Sequence, residues 1–378
     1  MGAEANKRVL FVAGTRPEII KMAPVVDRAR AELEQVTWLL TGQHQTLANS
    51  VLTDLNVAVD EKLNVLQPGA TLGQLTVRLM QAMEDALDKH NPAVVVVQGD
   101  TTTAMIAGLA SFSRRIPVVH IEAGLRSGDL KHPFPEEVNR KIVGVFADLH
   151  CAPTSKARDN LLAEGIAADR ILVTGNTVVD TLEMISGNLK QYDVVKKQIL
   201  VTLHRRESWD GGIEESCRAI GRLAQCRDDI EFIFPVHTNP LVQSQVRAVL
   251  GGYDTVRLVD PMGYLELQSL LSQSWLVLTD SGGIQEEAPS YRVPVFVLRN
   301  VTERPEAVEQ GQARVIGTDG DTILKSCLEL LDDPERYKAM QQGTNPFGDG
   351  RASNRIVRAL EYLLHNQFDE IQGIESFQ

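Results

Sequence analysis

A phosphate-binding turn is predicted at residues 279–288, which read Thr-Asp-Ser-Gly-Gly-Ile-Gln-Glu-Glu-Ala and follow an apolar run. Gly282 and Gly283 carry no Cβ, so a ligand can approach the backbone closely. Backbone N–H groups at the start of the following helix, together with the hydroxyl of Ser281, favour an anion there. Further along that helix, the Glu287 carboxylate is a candidate acceptor for ribose hydroxyls. The alternative is that the glycines serve only helix packing.

A second turn of this kind lies near the N-terminus. There an apolar run is followed by Gly14, and Pro17 then stands where a helix would begin. Arg16 and Lys21 would bring positive charge to the N-terminal end of that helix, where the helix dipole disfavours cations. A bound anion would offset this cost, whereas without one Arg16 is an ordinary solvated residue. The turn therefore predicts a second anion site.

Ionisable side chains also follow four predicted strands. They are Asp100 after Ala93–Gln98, Glu122 after Pro117–Ile121, His204 and Arg205 after Ile199–Leu203, and His237 after Glu231–Val236. In open parallel sheets, ligands bind beyond the carboxyl ends of the strands. Each residue has a structural explanation when taken alone, such as Asp100 capping a helix. Four such positions together with two anion turns predict a ligand site in one shared cleft.

The elements that would position these residues are strands alternating with helical patterns. The other predicted strands are Arg8–Ala13, Val36–Leu40, Asp148–Ala152, Ile171–Val173, Val256–Val259, Trp275–Thr279, Pro294–Leu298 and Arg314–Ile316. Continuous Val, Ile and Leu strands separated by helices are typical of parallel sheets covered on both faces. Two such series predict an α/β fold of two doubly wound, Rossmann-like domains.

The length of 378 residues also favours two domains, because it exceeds one ordinary hydrophobic core. A polar, Lys-rich stretch within Gly175–Gln198 separates the two series of strands. We therefore expect an N-terminal domain of residues 1–180 and a C-terminal, nucleotide-binding domain of residues 181–352. The last helix, within residues 353–378, has an apolar face and is expected to pack back on the N-terminal domain.

Composition argues against several classes of function. A net charge of −12 disfavours a nucleic-acid binder, although a few focused cations suffice for a small anionic ligand. The four cysteines show no metal-ligand spacing and are typical of thiols in a reducing compartment. The first residues lack an apolar signal core, and no apolar run reaches membrane-spanning length. We expect a cytoplasmic protein without a membrane partner.

Six ordered motifs resemble those of the non-hydrolysing UDP-N-acetylglucosamine 2-epimerases. They are Gly14–Glu18, Gly99–Thr103, His120–Arg126, Pro135–Arg140, His204–Glu207 and Asp280–Glu287, and the similarity extends to Asn345–Gly350. The resemblance implies a GT-B type, glycosyltransferase-like fold, in which the two domains face a central cleft, and a homodimer. It also implies interconversion of UDP-N-acetylglucosamine (UDP-GlcNAc) and UDP-N-acetylmannosamine (UDP-ManNAc), which feeds cell-surface polysaccharide synthesis.

The resemblance further implies roles for individual residues. Asp100, Glu122 and Glu136 match the family's essential carboxylates, and His204 matches its essential histidine. Arg304 matches a substrate-binding position. The complete predicted substrate-binding set is Arg16, Lys21, Arg205, His237, Ser281, Gly282, Gly283, Glu287 and Arg304, and a possible allosteric site for a second UDP-GlcNAc includes Gln43 and His44.

Elimination of UDP is the mechanism that both the chemistry and the resemblance favour. The C2–H of the sugar has no adjacent ring carbonyl, and the first turn lacks the Gly-x-Gly-x-x-Gly pattern that a nicotinamide-dependent route would need. A base would take the C2 proton as the C1–O bond breaks, giving a glycal to which UDP adds back. Asp100 and Glu122 would remove and return the proton, in an order that the sequence leaves open. No cofactor and no metal are expected.

Other functions are compatible with the same fold. A glycosyltransferase has no need of carboxylates at both Asp100 and Glu122 and would release UDP only with an acceptor. A hydrolysing epimerase would free UDP and N-acetylmannosamine, and a non-catalytic nucleotide-sugar sensor would keep the anion sites but lose the acid–base residues. A 2-epimerase of a more modified UDP-sugar is the nearest alternative.

Overall fold

The computed structural model of the chain describes residues 6–42, 45–67, 69–203, 212–237 and 239–378. The chain forms two compact units. The N-terminal unit comprises Met1–Met184 and Phe347–Gln378, and the C-terminal unit comprises Ile185–Pro346. Each unit contains one parallel sheet, which confirms the prediction of two doubly wound, Rossmann-like α/β domains. No helix among the described residues is long and apolar enough to cross a membrane.

The N-terminal unit is built on a sheet with strand order β3-β2-β1-β4-β5-β6-β7. Its strands are β1 Arg8–Ala13, β2 Gln35–Leu40, β3 Glu61–Lys62, β4 Val94–Gln98, β5 Val118–Ile121, β6 Leu149–Ala152 and β7 Ile171–Val173. Its helices up to the second unit are α1 Arg16–Glu32, α2 Gln45–Asp54, α3 Leu72–His90, α4 Thr102–Ser113, α5 Glu136–Phe146, α6 Ser155–Ala163 and α7 Thr177–Ile185. Every residue of β4 is buried, because helices cover both faces of the sheet.

The C-terminal unit has a six-stranded sheet with the order β10-β9-β8-β11-β12-β13. Its strands are β8 Lys197–Thr202, β9 Ile230–Pro235, β10 Val256–Val259, β11 Leu276–Thr279, β12 Val295–Val297 and β13 Ala313–Val315. Its helices are α8 Gly212–Cys226, α9 Pro240–Leu250, α10 Tyr264–Leu271, α11 Gly282–Glu287, α12 Pro305–Glu309, α13 Gly320–Asp332 and α14 Pro334–Met340.

The last long helix, α15 Ala352–Leu364, belongs to the N-terminal unit and packs against α1. Its residues Ile356 and Leu360 are fully buried. Asp180 on α7 anchors its first turn, since the carboxylate accepts the Ser353 N–H at 2.7 Å. Arg355 on α15 donates to the backbone carbonyl of Thr174 at 3.0 Å. Apolar burial and these polar contacts together attach α15 to residues that precede the C-terminal unit in sequence.

Both sheets reverse their strand order at a central pair of strands. The pair is β1 and β4 in the N-terminal unit and β8 and β11 in the C-terminal unit. Ligands of doubly wound folds bind at the carboxyl ends of such strands. In the N-terminal unit Gly14, Asp100 and Glu122 follow β1, β4 and β5, which are neighbours in the sheet. The fold therefore places these three positions along the expected binding edge.

Candidate active site

The turn between β1 and α1 contacts other residues of the N-terminal unit. Thr15 caps α1, and Arg16 is the first helical residue and is half-buried. Gly14 lies against the side chain of Thr103 at the start of α4, where an added Cβ would collide with the Thr103 hydroxyl. Only glycine allows this close approach, which brings the turn after β1 against the turn after β4.

Lys21 forms an ion pair with Glu122. Lys21 lies on α1 and its side chain is buried, and the Glu122 carboxylate is equally inaccessible. Glu122 has a backbone φ of 63°, in the left-handed region that few non-glycine residues adopt. The amide of Asn176 also lies 3.5 Å from the same carboxylate oxygen. Lys21 thus contacts one of the two predicted acid–base residues, in addition to any part it takes in anion binding.

Asp100 forms an ion pair with Arg140 of α5. The Asn139 side chain donates to the Asp100 backbone carbonyl at 2.9 Å, so both parts of this residue are attached to α5. Arg140 also donates to Glu137 at 3.1 Å. Glu137 is 0% exposed and accepts the backbone N–H groups of residues 127 and 128 at 3.1 and 3.2 Å. Asp100 is therefore joined, through the buried side chains of Arg140 and Glu137, to the loop before α5.

Glu136, the predicted catalytic carboxylate of this segment, is the first residue of α5 and is half-buried. Sequence reasoning selected Glu136 but missed Glu137, Asn139 and Arg140. The signal was present, because Glu137 and Arg140 are three residues apart and face the same side of a helix. What the sequence did not show is that this side of α5 meets the turn after β4.

His120 also supports the turn after β4. Its ring is buried in β5, and its Nε2 donates to the Gly99 carbonyl at 2.7 Å. Burial lowers the pKa of His120 to about 3, so the ring is neutral near pH 7 and carries its proton on Nε2. The neighbouring His150 in β6 is also buried, which lowers its pKa to about 4. Two neighbouring strands thus contribute neutral rings, whose centroids lie 6.5 Å apart.

Several predicted site residues lie outside the residues that the structure describes. They are His204, Arg205, Gln43 and His44. His237 is described and follows β9, where its Nδ1 accepts the Asn239 N–H at 3.2 Å. That hydrogen bond identifies Nδ1 as an unprotonated nitrogen and holds the ring in its own loop.

The turn between β11 and α11 brings Arg304 against Gly282. A Cβ on Gly282 would lie 2.6 Å from the guanidinium carbon of Arg304, so a larger residue here would displace the guanidinium from its present position. The Arg304 guanidinium is oriented by Glu286, which accepts from its Nε at 2.7 Å. Ser281 occupies the N-cap position of α11 without a capping bond from its side chain, and its N–H donates to the Thr279 hydroxyl at 2.9 Å. Gly283 follows Gly282 and has no side-chain neighbour closer than the Ser281 hydroxyl, 3.9 Å from its Cβ position.

Glu287, at the end of α11, is fixed by two residues of α10. The Tyr264 hydroxyl donates to one carboxylate oxygen at 3.2 Å, and the Gln268 amide donates to the other at 2.8 Å. The side chain is buried. A carboxylate held in this way has a defined orientation, as recognition of a diol requires.

The two units therefore offer different chemistry. The N-terminal unit presents two carboxylates, Asp100 and Glu122, on neighbouring strands with a cation beside each. The C-terminal unit presents an arginine against a glycine turn and an oriented carboxylate. Within the described ranges, no group of three or more His, Cys, Asp or Glu residues is arranged to hold a metal ion.

Comparisons with known proteins identify relatives of this chain. A family model described as UDP-N-acetylglucosamine 2-epimerase matches residues 28–361. The UDP-N-acetylglucosamine 2-epimerase of Escherichia coli K12 is 45% identical over 369 residues, covering 94% of this chain and 98% of that protein. The solved structure of a putative UDP-N-acetylglucosamine 2-epimerase from Listeria monocytogenes has a TM-score of 0.94 at 40% identity, covering 99% and 100% of the two chains. The Neisseria meningitidis UDP-GlcNAc 2-epimerase bound to UDP-GlcNAc has a TM-score of 0.89 at 40% identity, covering 94% and 99%.

Proposed function

Because this chain belongs to the UDP-N-acetylglucosamine 2-epimerase family, we propose how its own residues epimerise UDP-GlcNAc at C2. The protein is an isomerase, and the complex of the Neisseria relative supports UDP-GlcNAc as the substrate. The observation that carries the proposal is the pair Asp100 and Glu122, which follow neighbouring strands and are oriented by Arg140 and Lys21. Two opposed carboxylates supply the acid and the base that inversion at one carbon requires.

The reaction proceeds by elimination and re-addition. One carboxylate removes the C2 proton, the electrons of that C–H bond form the C1=C2 double bond of a glycal, and UDP leaves with the electrons of the C1–O bond. UDP then attacks C1 again while the second carboxylate protonates C2 on the opposite face. Carbon, oxygen and hydrogen balance without an oxidant or reductant. Glu136, at the start of the helix that holds Asp100, and His204 complete the catalytic set.

The UDP part of the substrate is assigned to the two turns. Arg16 on α1 binds the diphosphate, and Arg304 with the turn at Ser281–Gly283 binds it from the C-terminal unit. Glu287 accepts the ribose hydroxyls. The close contact of Arg304 with Gly282 supports this assignment, because it places a guanidinium beside the glycine turn at the carboxyl end of β11. Arg205 and His237 are further proposed substrate-binding residues.

A single NMR time course in heavy water tests this function. UDP-GlcNAc incubated with the protein alone should give a mixture with UDP-ManNAc, and deuterium should appear at C2, because the abstracted proton exchanges with solvent. Epimerisation without deuterium at C2 would contradict elimination. Release of UDP with N-acetylmannosamine would indicate a hydrolysing enzyme, and UDP release only on addition of an acceptor would indicate a glycosyltransferase.

We also propose that the protein is a homodimer that joins through α3, α4 and α5. These helices pack side by side on one face of the N-terminal sheet. Each has at least one exposed apolar side chain: Val77 on α3, Phe112 on α4, and Ile142 and Val145 on α5. Met80, Met105, Leu109 and Val138 on the same helices are only partly buried. Exposed apolar side chains on adjacent helices are typical of an interface. A second copy of the same surface is its occupant in a symmetric dimer.

A charge on this surface should break the dimer. Val145 is 83% exposed in the single chain, and Val145→Glu would bury two carboxylates in a symmetric interface. We expect the dissociation constant to rise roughly 100-fold, from the loss of about 1.5 kcal/mol at each of two copies. Light scattering across a dilution series measures the change. Val195→Glu, at a valine of the C-terminal unit that is 92% exposed, is the matched control and should leave the mass unchanged.

We also propose a cellular location and a physiological role for the protein. Cys151, Cys217, Cys226 and Cys327 are all free thiols, and free thiols are characteristic of proteins in a reducing compartment. This supports a cytoplasmic enzyme. The resemblance described above supports supply of UDP-ManNAc to cell-surface polysaccharide synthesis.

A further inference from the structure

Glu18 is a buried carboxylate that bonds to two strand-end turns at once. It is 1% exposed. One carboxylate oxygen accepts the Gly14 N–H at 3.1 Å, and the Thr15 N–H and hydroxyl at 2.7 Å each. The other oxygen accepts the Thr101 hydroxyl at 2.7 Å. Gly14 and Thr15 belong to the turn after β1, whereas Thr101 belongs to the turn after β4.

The residues on either side of these contacts are those of the proposed reaction. Thr15 immediately precedes Arg16, which is assigned to the diphosphate. Thr101 immediately follows Asp100, which is assigned to proton transfer. Thr101 also caps α4, since its hydroxyl accepts the Ala104 N–H at 3.0 Å. The Glu18 carboxylate therefore accepts hydrogen bonds from the residue before Arg16 and from the residue after Asp100.

A capping box alone does not account for this arrangement. Glu18 is the third residue of α1 and closes a capping box with Thr15. The chain has a second such box at the start of α3, where Gln74 and Thr71 bond reciprocally at 2.9 and 3.2 Å. The α3 box is exposed to solvent. In contrast, the box at α1 is buried, and its carboxylate reaches a hydroxyl on another turn 83 residues away in sequence.

We propose that Glu18 is a positioning residue that sets the distance between Arg16 and Asp100 by joining the turns after β1 and β4. This inference rests on the proposed roles of those two residues. Its effect is on the geometry of the reacting groups, since a misplacement of about 1 Å can cost roughly 100-fold in rate. Glu18 itself contacts only protein groups.

Joining the two turns depends on the length and the hydrogen-bonding capacity of the Glu18 side chain more than on its charge. Burial raises the pKa of Glu18 to about 7, against the lowering effect of the hydrogen bonds from Thr15 and Thr101. A side chain at this position is thus already neutral in part of the population near pH 7. An amide of the same length can accept from Gly14 and Thr15 through its oxygen and donate to the Thr101 hydroxyl through its nitrogen.

Three variants separate the effect of side-chain length from the effect of charge. Glu18→Gln keeps the length and loses the charge, Glu18→Asp keeps the charge and is one methylene too short to join both turns, and Glu18→Ala removes both. We expect the turnover number to fall roughly 10- to 100-fold in the Asp and Ala variants and no more than about 3-fold in the Gln variant. The affinity for UDP should fall less than the turnover number in each. Gln74→Ala, at the same helix position in the α3 box, is the control and should leave turnover unchanged.

Two outcomes would overturn the inference. If Glu18→Asp retained turnover while Glu18→Gln lost it, the carboxylate would act through its charge. If all three variants kept wild-type turnover with only lower melting temperatures, Glu18 would be a capping residue and no more. A failure of the proposed function is distinguishable from either, because the wild-type protein would then form no UDP-ManNAc with deuterium at C2.

Discussion

Replacing Asp100 with Asn is expected to lower the turnover number by roughly two to four orders of magnitude, and Glu122→Gln should have a similar effect. General acid and base groups contribute about this much to proton transfer. The backbone at Asp100 is held by Asn139 and that of Glu122 already has a positive φ, so neither amide adds backbone strain. Turnover is measured by NMR and UDP affinity by calorimetry, and we expect UDP binding to survive.

The control for these variants is Asp88→Asn. Asp88 is also paired with an arginine, Arg114, but lies on the surface at the end of α3. Its amide variant should epimerise at the wild-type rate. Near-normal turnover in Asp100→Asn and Glu122→Gln would show that the acid–base pair has been assigned to the wrong carboxylates.

Replacing Arg140 with Met should lower the free energy of unfolding by roughly 3–5 kcal/mol. Removing one partner of a buried ion pair leaves the other charge uncompensated, and this cost is typically of that size. Here the charge that remains is the fully buried carboxylate of Glu137. Urea denaturation measures the change. Arg114→Met, which breaks partly exposed pairs with Glu84 and Asp88, should cost no more than about 1 kcal/mol.

A double variant isolates the charge. Adding Glu137→Gln to Arg140→Met removes the uncompensated carboxylate, while the amide oxygen can still accept from the backbone N–H groups at residues 127 and 128. The double variant should therefore be more stable than Arg140→Met alone. If the second change lowered stability further, lost packing and not buried charge would be the cause.

Most strands were predictable because parallel strands that are buried on both faces consist of continuous runs of apolar residues. β1, β7 and β10 have the predicted bounds. β8 begins two residues before the predicted Ile199, since Lys197 and Gln198 extend the ladder with β9 through backbone bonds that need no apolar side chain. The two-residue strand β3, Glu61–Lys62, was missed for the same reason.

The site was predictable in its positions but not in its contacts. Asp100 and Glu122 could be placed at one sheet edge because strand ends share that edge. Their partners are non-local: Lys21 meets Glu122 across 101 residues, and Arg140 meets Asp100 across 40. The path of each connecting helix over the sheet decides which cation reaches which carboxylate. The spacing of apolar residues predicts which face of a helix is buried. It does not predict which residues the polar side chains of that helix contact.

The return of α15 to the N-terminal unit has a consequence for synthesis of the chain. The first strand to leave the ribosome belongs to a unit whose last helix is made only after the whole of Ile185–Pro346. The C-terminal unit can therefore complete its fold on the nascent chain while the part of α1 that α15 covers is still open to solvent. Incomplete units of this kind are where nascent chains misassemble and where chaperones bind. The unit translated first is thus the one finished last.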